Sequence, residues 1–325
     1  MSRYSVGLRL ADAYSKEKRG YLASSRIRGH YLSKYWPECD DFFYPEEFPE
    51  YEGDFFNPVN QFKILKNYDA VIFNKAYEHK LVKLLRENGQ IVIVDFCDPD
   101  FLLSHSSEQR VSDCLKTLKY TTLAVVNGKA IKEELRKVYK GPIVIIPDRL
   151  DLEGLSRKET HNRELKKIVW YGYSENLRVL EPYMKDIIDM GLEITIISDR
   201  FFESLTLVGC KFRPSERVSF RVWHPETVNE QILGHDAVFI GRDLDPYLSK
   251  FKSDNRADLA HALNMPVAYD IKDLERLKPV EARIIDSKEG LRDVRRYKDV
   301  RHSVFVYDKI MRKLLRRRNE GSHRK

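Results

Sequence analysis

Residues 252–256 read Lys-Ser-Asp-Asn-Arg, directly ahead of the run ADLAHALNMPVAYD. Two cations, a hydroxyl, a carboxylate and an amide crowd the mouth of a helix expected over 255–263. First-turn amides of a helix have no intrahelical partner and carry the positive end of its dipole. With Lys252 and Arg256 beside them, they can hold an anion through charge-assisted hydrogen bonds. Ser253 and Asn255 have side chains that cap such a turn or bind oxygen-rich groups. A second chemistry is offered by two Asp-x-Asp triplets, Asp98-Pro99-Asp100 and Asp243-Leu244-Asp245. Such triplets suit a divalent cation, although in an acidic loop they are as readily plain solvated carboxylates.

Several other chemistries lack their motifs. VNGKA contains Gly-Lys, but Leu123 occupies the first-glycine position of a phosphate-binding P-loop. GxGxxG, GxSxG and HExxH are absent. The sequence thus turns away from simple ATPases, dinucleotide oxidoreductases, serine hydrolases and zinc peptidases. Cys39, Cys97, Cys114 and Cys210 are scattered and form no CxxC pair, which fits a reducing compartment better than a zinc site or a disulfide framework.

These residues need a scaffold, and the chain alternates strand and helix signals throughout. Apolar runs at 4–10, 68–73, 90–96, 122–126 and 142–147 read as strands, with helices over 28–35, 81–88, 107–119 and 129–139. Their near-continuous hydrophobicity is that of parallel strands covered on both faces. Residues 37–60, rich in Pro, Phe, Tyr and acid, read as an irregular connection, and 151–166 as a polar linker. The alternation then restarts, with strands at 166–172, 192–198, 218–223, 236–241 and 265–270 and helices near 176–189, 226–234 and 255–263. A last helix is expected over 300–318, where Val304, Tyr307, Met311 and Leu314 share a face. The fold class is α/β, two Rossmann-like doubly wound domains facing a cleft. Ligands of such sheets bind beyond the carboxyl ends of the strands. The positions to watch are therefore Asp12, Asn74, Asp95 to Asp100, Asn127, Asp148, Gly172 to Asn176, Ser198 to Arg200, Trp223, His224, Arg242 and Asp243.

The chain has 325 residues, 42% hydrophobic and 33% charged, the balance of a soluble protein with room for two domains. No apolar run approaches the roughly 18–20 residues of a membrane span, and MSRYSVGLRLADAY lacks the apolar core of a signal peptide. A cytoplasmic protein is expected. The formal charge of +7 and a pI near 9.0 favour an anionic partner: nucleotide phosphates, nucleic acid or an acidic membrane surface. Part of that excess is the basic tail KIMRKLLRRRNEGSHRK, whose helix could rest on anionic lipid.

With these elements in order, the chain resembles the GT-B glycosyltransferases of the group-1/family 4 kind. ASSRIR at 23–28 is similar to the turn after the family's first strand. YDAVIFNKAYEHKLVKLLRENGQIVIVDFCDPDF and TLAVVNGKAIKEELRKVYKGPIVIIPDRLD resemble its middle and last N-domain segments. KKIVWYGYSENLRVLEP resembles the first strand and glycine turn of the nucleotide-binding domain, and KSDNRADLAHALNMPVAYD its donor segment. The resemblance implies an acceptor-side domain at 1–155, a nucleotide-sugar domain at 156–299, and a C-terminal helix and basic tail at 300–325 that crosses back to the first domain. It implies a UDP- or GDP-sugar as substrate, no permanently bound cofactor and no divalent metal required by the fold. Donor contacts would fall to Gly172, Tyr173, Ser174, Arg200, Trp223, Arg242, Lys252, Ser253, Asn255 and Arg256. His224 lies where relatives contact the base. Arg26 and Arg28 would face the cleft and touch phosphate or an anionic acceptor. Asp98, Asp100 and, more weakly, His105 would orient an acceptor hydroxyl or act as base.

Three positions depart from the family pattern. Leu259 stands where many relatives carry a glutamate and Phe251 where others carry the first acid of a pair, while Asn264 replaces a usual glycine. The expected activity is transfer of a sugar to an acceptor hydroxyl. The acceptor is a glycan, a glycolipid, or a hydroxylated base in DNA as in phage DNA glucosyltransferases. The alternative is a nucleotide- or nucleic-acid-binding module of the same fold that lost its chemistry with its carboxylates.

Overall fold

The structure is a computed structural model that describes residues 4–11, 22–40, 45–51, 53–200, 205–207, 210–212, 215, 217–242 and 246–322. The chain forms two units: unit 1 comprises Met1–Asp151, Lys250–Ser253 and Val300–Lys325, and unit 2 Leu152–Ser249 and Asp254–Asp299.

In unit 1, strands β1 (Val6–Leu10), β2 (Cys39–Asp40), β3 (Ala70–Asn74), β4 (Ile91–Phe96), β5 (Leu123–Val126) and β6 (Ile143–Ile145) form a parallel sheet in the order β2-β1-β3-β4-β5-β6. The AVIFN of β3 and IVIVDF of β4 are buried at every position. Alternate residues feed two cores: Val71, Phe73, Val92 and Val94 enter one, Ala70, Ile72, Ile91 and Ile93 the other. That is why the strands read as unbroken hydrophobic runs. The helices of this stretch are α1 (Ala23–Ser25), α2 (Tyr31–Tyr35), α3 (Pro58–Leu65), α4 (His79–Glu87), α5 (Glu108–Leu118) and α6 (Lys129–Val138). Between α1 and α2, Arg26–His30 winds as one π-turn. Helix α3 begins inside the stretch read as irregular, and its start is chemically specified. Asn57 accepts a 2.9 Å bond from the Val59 amide, and Pro58 occupies the first turn.

In unit 2, β7 (Lys167–Tyr171), β8 (Glu193–Ser198), β11 (Val218–Val222), β12 (Ala237–Phe239) and β13 (Val267–Ala268) form a parallel sheet in the order β11-β8-β7-β12-β13, and β9 (Leu205–Leu207) and β10 (Cys210–Phe212) make a separate antiparallel pair. The helices are α7 (Met184–Asp189), α8 (Val228–Leu233), α9 (Pro246–Ser249), α10 (Asn255–Ala262), α11 (Ile271–Arg276) and α12 (Val280–Tyr297). The helix expected near 176–189 is split into a 3-10 stretch, Ser174–Leu180, and α7. Pro182 separates them, as a residue that can supply no amide to a continuing helix must. Helix α13 (Val300–Ser322) returns to unit 1, where Tyr307 and Met311 are buried with β1 and β3 residues and Tyr307 stacks on Trp36 at 5.6 Å. Among the described residues no helix is long and apolar enough to cross a membrane.

The polar stretch 152–166 is not a loose linker. The Lys158 amide bonds the Leu263 carbonyl at 2.9 Å, and its ammonium bonds the carbonyls of Leu233 and His235 at 3.1 and 2.7 Å. Asn162 donates to Asp236 at 2.5 Å. Its polar side chains pin it to unit 2. Asn264 completes this seam. It lies in the left-handed region at φ 59 just past α10, which explains why glycine would serve here, and its amide donates to the Lys158 carbonyl at 2.7 Å. Asn264→Ala is expected to lose about 2–3 kcal/mol in urea unfolding, from left-handed strain and the missing bond together. Asn264→Gly should lose only about 1 kcal/mol, since it keeps the conformation and forfeits the bond alone. Equal losses in the two variants would show that the backbone conformation contributes nothing.

Candidate functional site

In unit 2 the chain runs from β7 outward through β8 to β11, then crosses to β12 on the other side of β7. The ends of β7 and β12 therefore flank a topological switch point, the place where open α/β sheets leave a crevice for ligands. A glycine stands at each. After β7, a Cβ on Gly172 would lie 3.2 Å from the Trp170 ring and 3.4 Å from the Arg256 guanidinium. After β12, Gly241 has φ +74, and a Cβ there would meet the Val179 carbonyl at 3.0 Å. No larger residue fits either turn without displacing backbone or ring.

The Gly172 turn is fixed from both neighbours. Its amide bonds the Ile197 carbonyl at 3.1 Å, and its carbonyl accepts from the Ser198 hydroxyl at 2.9 Å. The Ser174 amide donates to Asp199 at 2.6 Å and the Ser174 hydroxyl at 3.3 Å, while the Ser198 hydroxyl, 3.0 Å from the same carboxylate, shares its one hydrogen between it and the Gly172 carbonyl. Burial would raise the Asp199 carboxyl, but these donors hold it below its ordinary range. On the other flank, the Tyr171 hydroxyl donates to the Arg256 carbonyl in the first turn of α10. The Arg256 guanidinium lies 5.6 Å from the Trp170 ring centre and donates to the Tyr171 carbonyl at 3.4 Å. Strand, glycine turn and helix start are thereby locked into one piece.

The motif at 252–256 is divided by the structure. Lys252 and Ser253 belong to unit 1, where Phe251 is 3% exposed in the core, and Asp254, Asn255 and Arg256 belong to unit 2. The N-cap of α10 is Asp254, and neither it nor the expected Ser253 or Asn255 caps the helix through its side chain. The absent glutamate at Leu259 is not replaced by its neighbour. Asp258 forms a 2.7 Å ion pair with Lys298; burial lifts its carboxyl and that lysine opposes the lift. Leu259 itself packs against the core.

Of the other expected donor residues, Tyr173 and Ser174 stand in the β7 turn, and Arg200 is exposed just past β8. Trp223 follows β11, half-buried against the core, and its amide bonds the Ser198 carbonyl at 2.7 Å. His224 accepts the Glu226 amide at 3.4 Å. Arg242 follows Gly241 and pairs with Asp270 at 3.3 Å. The strand order brings all of these to one edge of the unit 2 sheet. Asp199 and Gly241, absent from the expected donor set, are what hold the two switch-point turns. A glycine directly after DAVFI and an acid directly after EITIIS were the available signals.

The expectations in unit 1 fare differently. Arg26 is half-buried at the start of the π-turn. Arg28 is not a cleft cation. It is 5% exposed, with both Asp95 oxygens at 2.8 Å, Asp148 at 2.8 Å and the Ile146 carbonyl at 2.9 Å. Two carboxylates on one guanidinium leave no positive charge for a phosphate. Asp100 cannot serve as a base either. It is 3% exposed and receives hydrogen bonds from Tyr77, Ser106 and Arg110 at 2.8, 3.1 and 2.8 Å. Burial pulls its carboxyl up, but Arg110, Lys75 and Tyr77 hold it below its ordinary range. His105 is exposed in the turn before α5, joined there through its amide to the Leu102 carbonyl at 3.0 Å. Of the two carboxylates only Asp98 is open, 34% exposed at its side chain and paired with Lys75 at 2.5 Å.

Among the described residues no group of three His, Cys, Asp or Glu side chains is placed to hold a metal ion. Asp12, Asp243 and the second Asp-x-Asp triplet lie outside the described residues. On the basic helix α13, Arg312 pairs with Asp308 and Arg318 with Asp69, at 2.8 and 2.7 Å. Lys309, Lys313, Arg316 and Arg317 are exposed.

No family model and no curated protein matches the chain. Solved structures do. The chain is similar to Anabaena Alr3699/HepE in complex with UDP and glucose, with TM-score 0.68, 8% identity, and 95% of this chain and 99% of that one covered. The same Anabaena protein in complex with UDP-glucose gives TM-score 0.62 at 8% identity, over 95% and 99% of the two chains. AviGT4, a glycosyltransferase involved in avilamycin A biosynthesis, gives TM-score 0.57 at 12% identity, over 96% and 98%. At such identities the likeness is one of fold, and the fold is GT-B.

Proposed function

We propose that this GT-B chain is a glycosyltransferase that binds a nucleoside-diphosphate sugar, UDP-linked in the first instance, in unit 2 and moves the sugar to a carbohydrate hydroxyl. The observation that carries the reading is the switch point of unit 2. There Gly172 and Gly241 let both turns pack close on Trp170 and Val179, and Arg256 is held against Trp170 at the start of α10. Arg256 with the first amides of α10 supplies donors and positive charge for a diphosphate. Cleaving the bond between sugar and phosphate builds negative charge on the departing diphosphate, so fixed cations there lower the barrier. Structures of similar fold hold UDP and UDP-glucose, which supports the same donor class here.

For the acceptor, Asp95 and Asp148 neutralise Arg28, one of the two arginines on which contact with a DNA backbone was expected to rely, which lessens the support for that acceptor. A carbohydrate is favoured. Three described cysteines are buried free thiols, which suits a reducing cytoplasmic setting.

The test is a thermal-unfolding titration with UDP, GDP and ADP, followed by assay of free sugar released from UDP-glucose, UDP-galactose and GDP-mannose. At a hundred times its Kd, a nucleotide adds about 2.7 kcal/mol, which is several degrees for a domain of this size. We expect UDP to give that shift and at least one donor to turn over slowly. A shift without turnover of any donor would favour the lapsed binding module. No shift and no turnover would overturn the donor reading altogether.

A further inference from the structure

We propose that copies of this chain associate head to tail through unit 1: Phe305 and the basic face of α13 on one copy seat in an acidic, aromatic-lined cavity at residues 45–57 of the next. Nothing in unit 2 or in the donor reading enters into this.

The two surfaces lie on opposite faces of the unit 1 sheet. Phe55 is buried in the core that takes Val71, Phe73, Val92 and Val94, with Phe48 and Tyr51 packed against it. Tyr307 and Met311 of α13 are buried in the other core, with Ala70, Ile72, Ile91 and Ile93. Successive residues of a strand point to opposite faces, so the helix and segment 45–57 stand back to back. One molecule cannot bring its own helix to its own cavity; only a second copy can.

The cavity is preformed. Pro45–Glu47 and Pro49–Tyr51 each wind one 3-10 turn. The amides of Phe48, Tyr51, Asp54 and Asn57 bond the carbonyls of Pro45, Phe48, Tyr51 and Asp54 at 3.0, 3.0, 2.9 and 3.1 Å. Phe55 stacks on Phe48 at 5.8 Å and meets Phe56 edge-on at 5.2 Å. Arg9, buried in β1, lies 5.7 Å from the Phe56 ring centre. The surface so fixed leaves a cavity of about 490 Å³ lined by Pro45, Gly53, Asp54, Phe55, Phe56 and Asn57, with room for a phenyl ring. Residues 45–57 hold five acids and no base. Glu46, Glu50 and Asp54 are exposed, and Lys63, 5.4 Å from the Tyr51 ring, offsets only one of them.

Helix α13 presents the complement. Phe305 is 69% exposed, the most exposed large apolar side chain among the described residues. Lys309, Lys313 and Arg316 continue its stripe, all exposed, with Arg317 beside them. From Phe305 to Arg316 that stripe runs about 16 Å. Residues 305–318 hold six bases and one acid. A lipid surface suits this helix less well. An interfacial helix inserts a broad apolar face, and α13 turns that face, Val304, Tyr307, Met311 and Leu314, onto its own sheet. What remains outside is one ring among cations, which matches an aromatic cavity among acids in shape and sign. The contact joins two different patches. A copy that gives its ring keeps its own cavity open for another, so association runs on past the dimer.

Sedimentation velocity of the full chain decides, at roughly 0.1 mM protein and at about 0.02 and 0.3 M salt. Wild type should associate beyond a dimer at low salt and much less at high salt, where exposed charges are screened. Phe305→Ser should weaken association about tenfold or more, as loss of a central aromatic anchor does. Two charge-reversed proteins complete the set: Lys309→Glu with Lys313→Glu on the helix, and Glu46→Lys with Glu50→Lys at the cavity. Asp54 is spared because it accepts from Asn57 and Asn60. Each reversed protein should be monomeric alone and unfold at the wild-type temperature. Mixed in equal amounts they should associate again, since every helix then meets a cavity of opposite sign. A monomeric wild type at low salt, association that stops at a closed dimer, an unaffected Phe305→Ser, or reversed proteins that stay apart when mixed overturns the inference. Flotation with phosphatidylcholine–phosphatidylserine vesicles reads the other occupant: a wild type that binds them and stays monomeric assigns α13 to lipid and overturns it too.

Discussion

Replacing Arg28 with methionine is expected to destabilise unit 1 by about 3–5 kcal/mol, the usual consequence of stripping the partner from a buried charge. The loss is this large because Arg28 answers two acids at once. Asp95 is 0% exposed and Asp148 9%, and each has its bond to the guanidinium at 2.8 Å. Tyr307, donating to Asp95 at 3.0 Å from α13, cannot replace a cation. Burial lifts the Asp95 carboxyl above its ordinary range even with Arg28 opposing that lift. Removing Arg28 lifts it further. An acid whose folded-state value exceeds its unfolded value stabilises when protonated, and this stabilisation is lost as pH rises through the folded value. The Arg28→Met deficit should therefore be larger at pH 8 than at pH 5. The double variant Arg28→Met with Asp95→Asn should recover part of it, since one orphaned charge is gone. Denaturant unfolding at the two pH values decides. A loss below about 1 kcal/mol, with UDP binding weakened instead, would return Arg28 to the role of phosphate contact.

Arg28 stands in a polar segment after the first strand, where an arginine reads as solvent-facing. Its partners lie 67 and 120 residues away, and only the packing of the helical segment 23–35 onto the sheet joins them. The sheets themselves were legible, because strands covered on both faces must be apolar at every position. Helix α12 was not. Its buried residues are Arg283, Ser287 and Val294, a helical spacing without a hydrophobic stripe. Arg283 is 0% exposed because it donates to four carbonyls, those of Leu277, Lys278, Asn162 and Arg163. In the candidate site, Gly172 and Arg256 could be found by their order along the chain. The Asp199 carboxylate was visible as an acid directly after a strand, but its role in setting the Gly172 turn was not, since its bond to Ser174 spans 25 residues and depends on β7 lying beside β8.

Arg256→Ala is expected to weaken UDP binding by roughly 10- to 150-fold, the loss of about 1.5–3 kcal/mol that a hydrogen bond to a charged group provides. The fold should lose somewhat less. The guanidinium packs over Trp170 and bonds the Tyr171 carbonyl, contacts worth about 1–2 kcal/mol together. The tie from the Tyr171 hydroxyl to the Arg256 backbone carbonyl survives the substitution, so the start of α10 stays in place. A lysine side chain in its stead would keep the charge but lose the planar face that lies against Trp170, so Arg256→Lys should fall between wild type and alanine. Lys252→Ala is a weaker test, because Lys252 is exposed and grouped with unit 1. Gly172→Val attacks the same point without touching charge: its first added carbon already reaches the Trp170 ring and the Arg256 guanidinium. Calorimetric titration of UDP into the variants provides the comparison. If wild type binds UDP and Arg256→Ala binds it within twofold, the diphosphate is held elsewhere on the unit 2 edge. Arg242 and Arg200, beyond β12 and β8, would then be the cations to replace next.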